Sequence, residues 1–212
     1  SNAFTITAST PTNISYSQQP SNAVAGVTIA PAVTVMLFDG FGNPVSGQNV
    51  TLSLSTGTGV LSGTVTQATD GVGVATFPDL SINLVGGKNL TATAGALTVI
   101  SNAFTITSAT ATNISFSGQP TDETAGVAIS PAVTVTLLDG FGNPASGQNV
   151  TLSLSTGTGA LSGTATQMTN GSGVATFPDL SINLVGSKNL TATAGALTVI
   201  SNAFTITVNT PA

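Results

Sequence analysis

The side chains able to do chemistry in this chain are few, and most are carboxylates. The 212 residues include no His, Cys, Trp or Arg, and the charged set is Asp39, Asp70, Asp79, Asp122, Glu123, Asp139 and Asp179 against Lys88 and Lys188, a net charge of −5. Without His or Cys the usual pairings of base and nucleophile are missing. Two carboxylates can hydrolyse a glycosidic bond if they face each other across a cleft. Here that would require Asp39 and Asp79 to converge, and a compact sandwich offers little cleft. A carboxylate can also ligate Ca²⁺, with Asn43 or a loop carbonyl beside Asp39, yet calcium takes six to eight oxygens and usually several carboxylates. Apart from the adjacent Asp122 and Glu123 the acids are well separated in sequence, none has Asp-x-Asp spacing, and Asp70 is replaced by Asn170 in the second half of the chain. The simpler reading of Asp39 and Asp139 is an Asx-type turn, the carboxylate accepting N–H groups of its own loop. A calcium site between domains that recruits Asp122 or Glu123 is the remaining metal option. No catalytic, cofactor-binding or metal residue is therefore assigned, and no cofactor is expected.

Other small motifs carry less. Gly40-Phe41-Gly42 and Gly57-Thr58-Gly59 have the G-x-G letters of a phosphate loop, but no helix follows and no Lys is placed to hold phosphate. Phe41 and Phe141, each between glycines, could stack on a sugar or touch an adjoining domain; the expectation is that each folds back over the end of its domain. The Asn-x-Ser/Thr triplets at Asn13, Asn49 and Asn89 are expected by chance in a chain so rich in these residues. Two lysines cannot supply the clusters that neutralise nucleic-acid phosphates or dock on an anionic bilayer. No apolar run approaches the length of a membrane helix.

The elements that must position these residues are strands. Val33, Val35 and Leu37 alternate with Thr34 and Met36, and Val50, Leu52 and Leu54 alternate with Thr51, Ser53 and Ser55. Period-two alternation marks a strand with one face buried. The same pattern gives a strand over 13–17, with Ile14 and Tyr16 on one face, and a short edge strand over 25–29 closed by Pro31. It gives a strand from Leu61 through Gln67 and another over 74–77 with Ala75 and Phe77 inward. The alternation then continues through Leu80, Ile82 and Leu84. Gly86-Gly87 reads as a turn, and Leu90, Ala92 and Ala94 as the next strand. The last strand has Leu97 and Val99, then Phe104 and Ile106, with a phase slip near Ser101 that predicts a bulge. No segment sustains a helical period, and β-branched residues fill the chain. About seven short strands separated by turn residues predict an all-β fold of antiparallel β-sandwich type.

The chain is also a repeat. Residues 1–100 align without gaps on 101–200, with 80 of 100 positions identical, so each copy is the size of a whole domain rather than a solenoid unit. The expected organisation is two tandem sandwiches, 1–108 and 109–212. Residues 1–7 carry the SNAFTIT letters found again at 101–107 and 201–207. They read as the last strand of a preceding repeat, either disordered or paired with a neighbouring molecule's edge, or partly as a cloning remnant. The linker Ser108-Ala109-Thr110-Ala111 has neither Gly nor Pro and predicts an extended, fairly stiff pair.

The stretch from Asp39 to Leu52, with its Asp-Gly-Phe-Gly-Asn-Pro-Val-Ser-Gly sequence followed by Val50-Thr51-Leu52, resembles bacterial immunoglobulin-like domains of the invasin/intimin type. Gly73-Val74-Ala75-Thr76-Phe77 and Asn89-Leu90-Thr91-Ala92-Thr93-Ala94 add to the resemblance, which spans nearly all of both repeats. It implies immunoglobulin-like sandwiches in an exported, extracellular protein of the bacterial cell surface, where such modules stand in tandem as a stalk. In that family receptor binding usually belongs to a specialised terminal domain. The resemblance thus implies a non-catalytic spacer whose partners are neighbouring repeats of the same chain. The alternative is an adhesion module that binds a glycan or protein through loops or sheet edges. A monomer is expected, with no nucleic-acid partner and no membrane insertion.

Overall fold

The protein is described by a computed structural model covering Ala3, Thr5 and residues 7–208. The expectation for Phe4–Thr7 therefore falls largely outside the described residues. The chain divides into two compact units, Ser1–Thr107 and Ser108–Ala212.

In the first unit, β1 (Asn13–Gln18), β3 (Val33–Phe38) and β7 (Val74–Phe77) form a three-stranded antiparallel sheet in the order β1-β3-β7. The facing sheet runs β2-β11-β9-β4-β6, built from β2 (Ala23–Val24), β4 (Asn49–Thr56), β6 (Thr66–Ala68), β9 (Gly86–Ala94) and β11 (Phe104–Thr107). The strand β10 (Leu97–Ile100) continues that sheet along the far half of β9, and β5 (Leu61–Ser62) pairs with β8 (Ser81–Ile82) as a small ribbon. The same elements recur in the second unit. They are β12 (Ala111–Gly118), β13 (Glu123–Thr124), β14 (Val133–Asp139), β15 (Asn149–Thr156), β16 (Leu161–Ser162) and β17 (Thr166–Met168), then β18 (Val174–Phe177), β19 (Ser181–Ile182), β20 (Gly186–Ala194), β21 (Leu197–Ile200) and β22 (Phe204–Thr207). Each unit is an all-β, immunoglobulin-like antiparallel sandwich.

Each unit has a core of its own, and the alternation built it. Val33, Val35 and Leu37 of β3 meet Val50 and Leu52 of β4, with Ala75, Phe77 and Leu90 between, all buried. The second core repeats these contacts through Val133, Val135, Leu137, Val150, Leu152 and Phe177. Burying each such side chain contributes about 1.5–3 kcal/mol. Between these positions the intervening Thr and Ser face water and bond across strands: the hydroxyls of Ser17 and Thr34, and of Thr51 and Thr66, lie 2.6 and 2.9 Å apart.

Five sequence expectations need correction. The edge strand lies at Ala23–Val24, not 25–29, because Gly26 takes φ +74° and turns the chain. The segment 61–67 is two strands, not one, since Gly63 (φ +102°) breaks the run and packs on the backbone of Asp79. Gly86-Gly87 is no turn: both glycines pair with Ile106 and Thr105 inside β9, which must run on to reach β11. The inward alternation ends at Ile82, and Leu184, the counterpart of Leu84, is 49% exposed. The slip near Ser101 is a break between two strands, β10 and β11, and not a bulge within one. Leu97–Ile100 pairs with the far half of β9 and Phe104–Thr107 with its near half. Between them the Ser101 hydroxyl accepts the Leu90 N–H and donates to the Asn102 carbonyl.

Candidate functional site

Asp39 follows the last residue of β3 and Asp139 ends β14, and both sit buried at the mouth of the following loop. Asp39 Oδ1 accepts the N–H groups of Phe41 and Asn43, both at 2.9 Å. Its Oδ2 accepts the Asn43 side-chain amide at 3.1 Å and the Ser9 N–H at 3.0 Å. Asp139 repeats this with Phe141, Asn143 and the N–H of Ala109. This is the Asx-type turn, with one addition that spacing could not reveal: the same carboxylate grips the chain segment entering the unit. Burial alone would raise the pKa of Asp39. The Asn43 amide and the N–H groups of Ser9, Asn43 and Phe41 outweigh it and hold the group well below the usual carboxylate range. Asp139 is lowered for the same reasons, through Asn143, Ala109 and Phe141.

The other acids are committed in the same manner. Asp79 accepts the N–H and hydroxyl of Thr64, the N–H bond being the main reason its pKa is lowered, and Asp179 does the same with Thr164. Asp70 Oδ1 accepts the N–H groups of Val72 and Val74. Asn170 does so for Ser172 and Val174 with a neutral amide, so the position needs an acceptor and not a charge. Asp122 Oδ1 accepts the Thr205 N–H, and Glu123 accepts that of Thr124. No group of three or more potential ligands able to hold a metal is found among the described residues.

Asp39 and Asp79 do not converge. Val33 pairs with Phe77 and Met36 with Val74, so Asp39 follows one end of this ladder and Asp79 the other. Six strand residues at roughly 3.3 Å each put about 20 Å between them. Retaining and inverting glycosidases need about 5–5.5 and 6.5–9.5 Å.

Phe41 does not cover the end of the sandwich. It is 88% exposed, and Phe141 is 47% exposed. Gly42 takes φ +83° in this turn, and the Phe41 and Asn43 N–H groups bond to the Asp39 carboxylate while the Phe41 ring stands in solvent. Small concavities are present among the described residues. One of about 400 Å³ is lined by Thr7–Pro11, Val45, Ser46 and Gln48, and holds no charged side chain. A smaller one, 210–250 Å³, recurs in both units beside the Gly95-Ala96 and Gly195-Ala196 turns and is lined mainly by small residues.

Lys88 and Lys188, the only cations, are 1% exposed. Lys88 Nζ donates to the carbonyls of Thr58 and Val85 at 2.7 and 3.0 Å, and Lys188 Nζ to that of Val185 at 3.0 Å. Burial pushes the Lys88 pKa down. Gly57-Thr58-Gly59 is thus the lid over a buried ammonium. A Cβ on Gly57 would lie 2.8 Å from the Lys88 stem. The sequence held a hint of this, a cation inside an alternating strand, but nothing in it named the carbonyls.

No protein-family model and no curated protein matches the chain. Solved structures do. InvD of Yersinia pseudotuberculosis aligns with a TM-score of 0.56 at 20% identity, covering 89% of this chain and 55% of that one. FdeC, an Escherichia coli adhesin, aligns at 0.48 and 19%, covering 97% and 67%. The D0–D1 domain of intimin aligns at 0.35 and 22%, covering 92% and 98%. The chain spans about half of the InvD chain it matches. The likeness to InvD shows the fold alone, an all-β chain of tandem immunoglobulin-like sandwiches.

Proposed function

We propose that this chain is a non-catalytic structural spacer of a bacterial cell-surface or secreted adhesin-type protein. Its working partners would be neighbouring repeats of the same chain. The observation that carries this reading is the fate of the carboxylates: in both copies they are spent on the protein's own N–H groups and hydroxyls. Such groups hold loops in shape and leave little to offer a substrate or ion. The resemblance of the Asp39–Leu52 stretch to surface-protein modules supports an extracellular location. Among the described residues no helix is long and apolar enough to cross a membrane. Burial of both lysines supports the reading that nucleic acid is not a partner.

A second reading is favoured by Phe41, an aromatic ring exposed in a loop, which suits contact with a glycan or protein. A glycan array and a panel of host surface proteins separate the two. The spacer gives no saturable binding. Saturable binding that Phe41→Ala and Phe141→Ala abolish would replace the spacer reading with the adhesion module.

A further inference from the structure

The two copies differ at one turn in a way that changes its chemistry. The first reads Asp70-Gly71-Val72-Gly73 and the second Asn170-Gly171-Ser172-Gly173. The shape of the turn is the same in both. The Gly73 N–H donates to the Asp70 carbonyl at 3.0 Å, and the Asp70 N–H to the Val74 carbonyl at 2.9 Å. The Asn170 turn closes with the same two bonds at 2.9 and 3.0 Å. Each side-chain Oδ1 accepts the N–H groups two and four residues on, at 3.0 and 2.9 Å for Asp70 and at 2.9 and 3.1 Å for Asn170.

Asn170 is the one asparagine of the chain that is followed by glycine. An asparagine amide carbon can be attacked by the backbone nitrogen of the next residue, and a glycine, with no Cβ, lets that nitrogen approach most freely. Residues 170–172 are exposed, so water and hydroxide reach the turn. Among the described residues the Gly171 N–H has no hydrogen-bond partner, and Asn170 Nδ2 donates to none. Negative charge gathers on Oδ1 as the new bond forms. The two N–H groups already on Oδ1 lie within the range of about 2.7–3.1 Å at which fixed donors stabilise such an oxyanion. Ring closure keeps one of them in place. Once Cγ is bonded to the Gly171 nitrogen, Oδ1 stands to the Ser172 N–H as a carbonyl stands to the N–H two residues on in a γ-turn.

We propose that Asn170-Gly171 is a self-modifying site, which deamidates within the folded second unit and becomes the aspartate that the first unit carries from the start. The Gly171 nitrogen, its proton lost to hydroxide, attacks Cγ of Asn170. The Cγ–Nδ2 bond breaks, and ammonia leaves with a proton from water, which regenerates the hydroxide. The product is a five-membered succinimide. Water then opens one of its two carbonyls and returns a proton to the ring nitrogen. Opening at Cγ gives an aspartate at position 170; opening at the main-chain carbonyl gives an isoaspartate, with an extra carbon in the backbone. In total one water is consumed, one ammonia is released, and the net charge goes from −5 to −6.

The fold selects between the products. Before the site, Thr169 is held by its N–H on the Gln148 carbonyl and by its hydroxyl on the Ala145 carbonyl. After it, the Gly173 carbonyl accepts the Leu137 N–H. A lengthened backbone between these anchors breaks the turn, whereas an aspartate keeps its bonds, as Asp70 does. The reaction then slows sharply, because an ionised carboxylate resists attack and has no amide to release.

The test is incubation of the full chain in mildly alkaline buffer, folded and in guanidinium, followed by peptide mass spectrometry with fragmentation that tells aspartate from isoaspartate. The folded chain should convert first at position 170 and mainly to aspartate, roughly ten-fold faster than the unfolded chain, a barrier difference of about 1.4 kcal/mol. The unfolded chain should give mainly isoaspartate. Gly171 has open space where a Cβ would stand and no left-handed φ, so Gly171→Ala keeps the turn. That variant should slow conversion about ten-fold by hindering the attacking nitrogen. Asn170→Asp supplies the product directly and should keep the denaturant midpoint of wild type. The comparison of folded with unfolded chain needs no variant, so a poorly folding one leaves the test intact. Conversion no faster in the folded chain than in the unfolded one would overturn the proposal. So would isoaspartate as the main product of the folded chain, or a lowered midpoint in Asn170→Asp.

Discussion

At the scale of single residues, the carboxylates and Tyr16 set how the protein responds to pH. Asp39, Asp79, Asp139 and Asp179 all have lowered pKa values when folded. The unfolded chain therefore takes up protons first as pH falls. Stability from these groups is full above the ordinary Asp value of about 3.9 and is lost as pH drops through the lower folded values. The chain has no His, so the urea midpoint should be level from pH 5 to 8 and fall below about pH 4. A midpoint that rose on acidification would contradict this. On the alkaline side the copies differ. Tyr16 donates to the Leu90 carbonyl, burial raises its pKa, and the second copy has Phe116. A raised folded pKa gives stability that is present below the unfolded value near 10 and lost as pH climbs above it. Lys88, lowered by burial, opposes this in the same unit. Tyr16→Phe isolates the tyrosine: in alkaline melts followed by calorimetry, the first unit should lose less stability above pH 10 with the phenol gone.

At the scale of elements, close approach between turns matters as much as the ladders. Gly63 has a left-handed backbone and a Cβ there would strike the Asp79 backbone, whereas Gly47 (φ +71°) has open space around it. Gly47→Ala should cost about 1 kcal/mol from backbone conformation alone. Gly63→Ala should cost roughly 2–3 kcal/mol, because the Asp79 turn must also move. Denaturant curves measure both, and equal losses would show that the contact is unimportant. This contrast also explains what could be read in the sequence. Strands with one buried face, such as Val33–Phe38 and Asn49–Thr56, were plain from alternation because burial imposes period two. The Asp39 turn was plain from local chemistry. Gly86-Gly87 and Gly63 were not, since a glycine in a ladder and a glycine at a turn look alike until the partner strand is known. The grip of Asp139 on Ala109 and the lid on Lys88 join residues 30 apart in sequence, beyond any local pattern. The exposure of Phe41 is not legible either, since a loop aromatic between glycines reads the same whether its ring packs inward or stands in solvent.

At the scale of the whole molecule, the rarity of cations has a practical outcome. Trypsin cuts after Lys and Arg, and this chain offers only Lys88 and Lys188, both buried within strands. The folded protein should survive trypsin in native buffer and yield three fragments once denatured. Cleavage would then report the population of opened molecules. Rapid native cleavage at either lysine would mean that β9 or β20 opens locally.

The hydroxyl pairs on the outer faces, Ser17 with Thr34 and Thr51 with Thr66 in one copy, Ser117 with Thr134 and Thr151 with Thr166 in the other, carry a last consequence. A coat wetted by alcohols rather than ions gives dissolved electrolyte little to screen. Such a coat keeps its affinity for water in brine and in fresh water alike, and it suits a part that must keep its form while the medium around it changes.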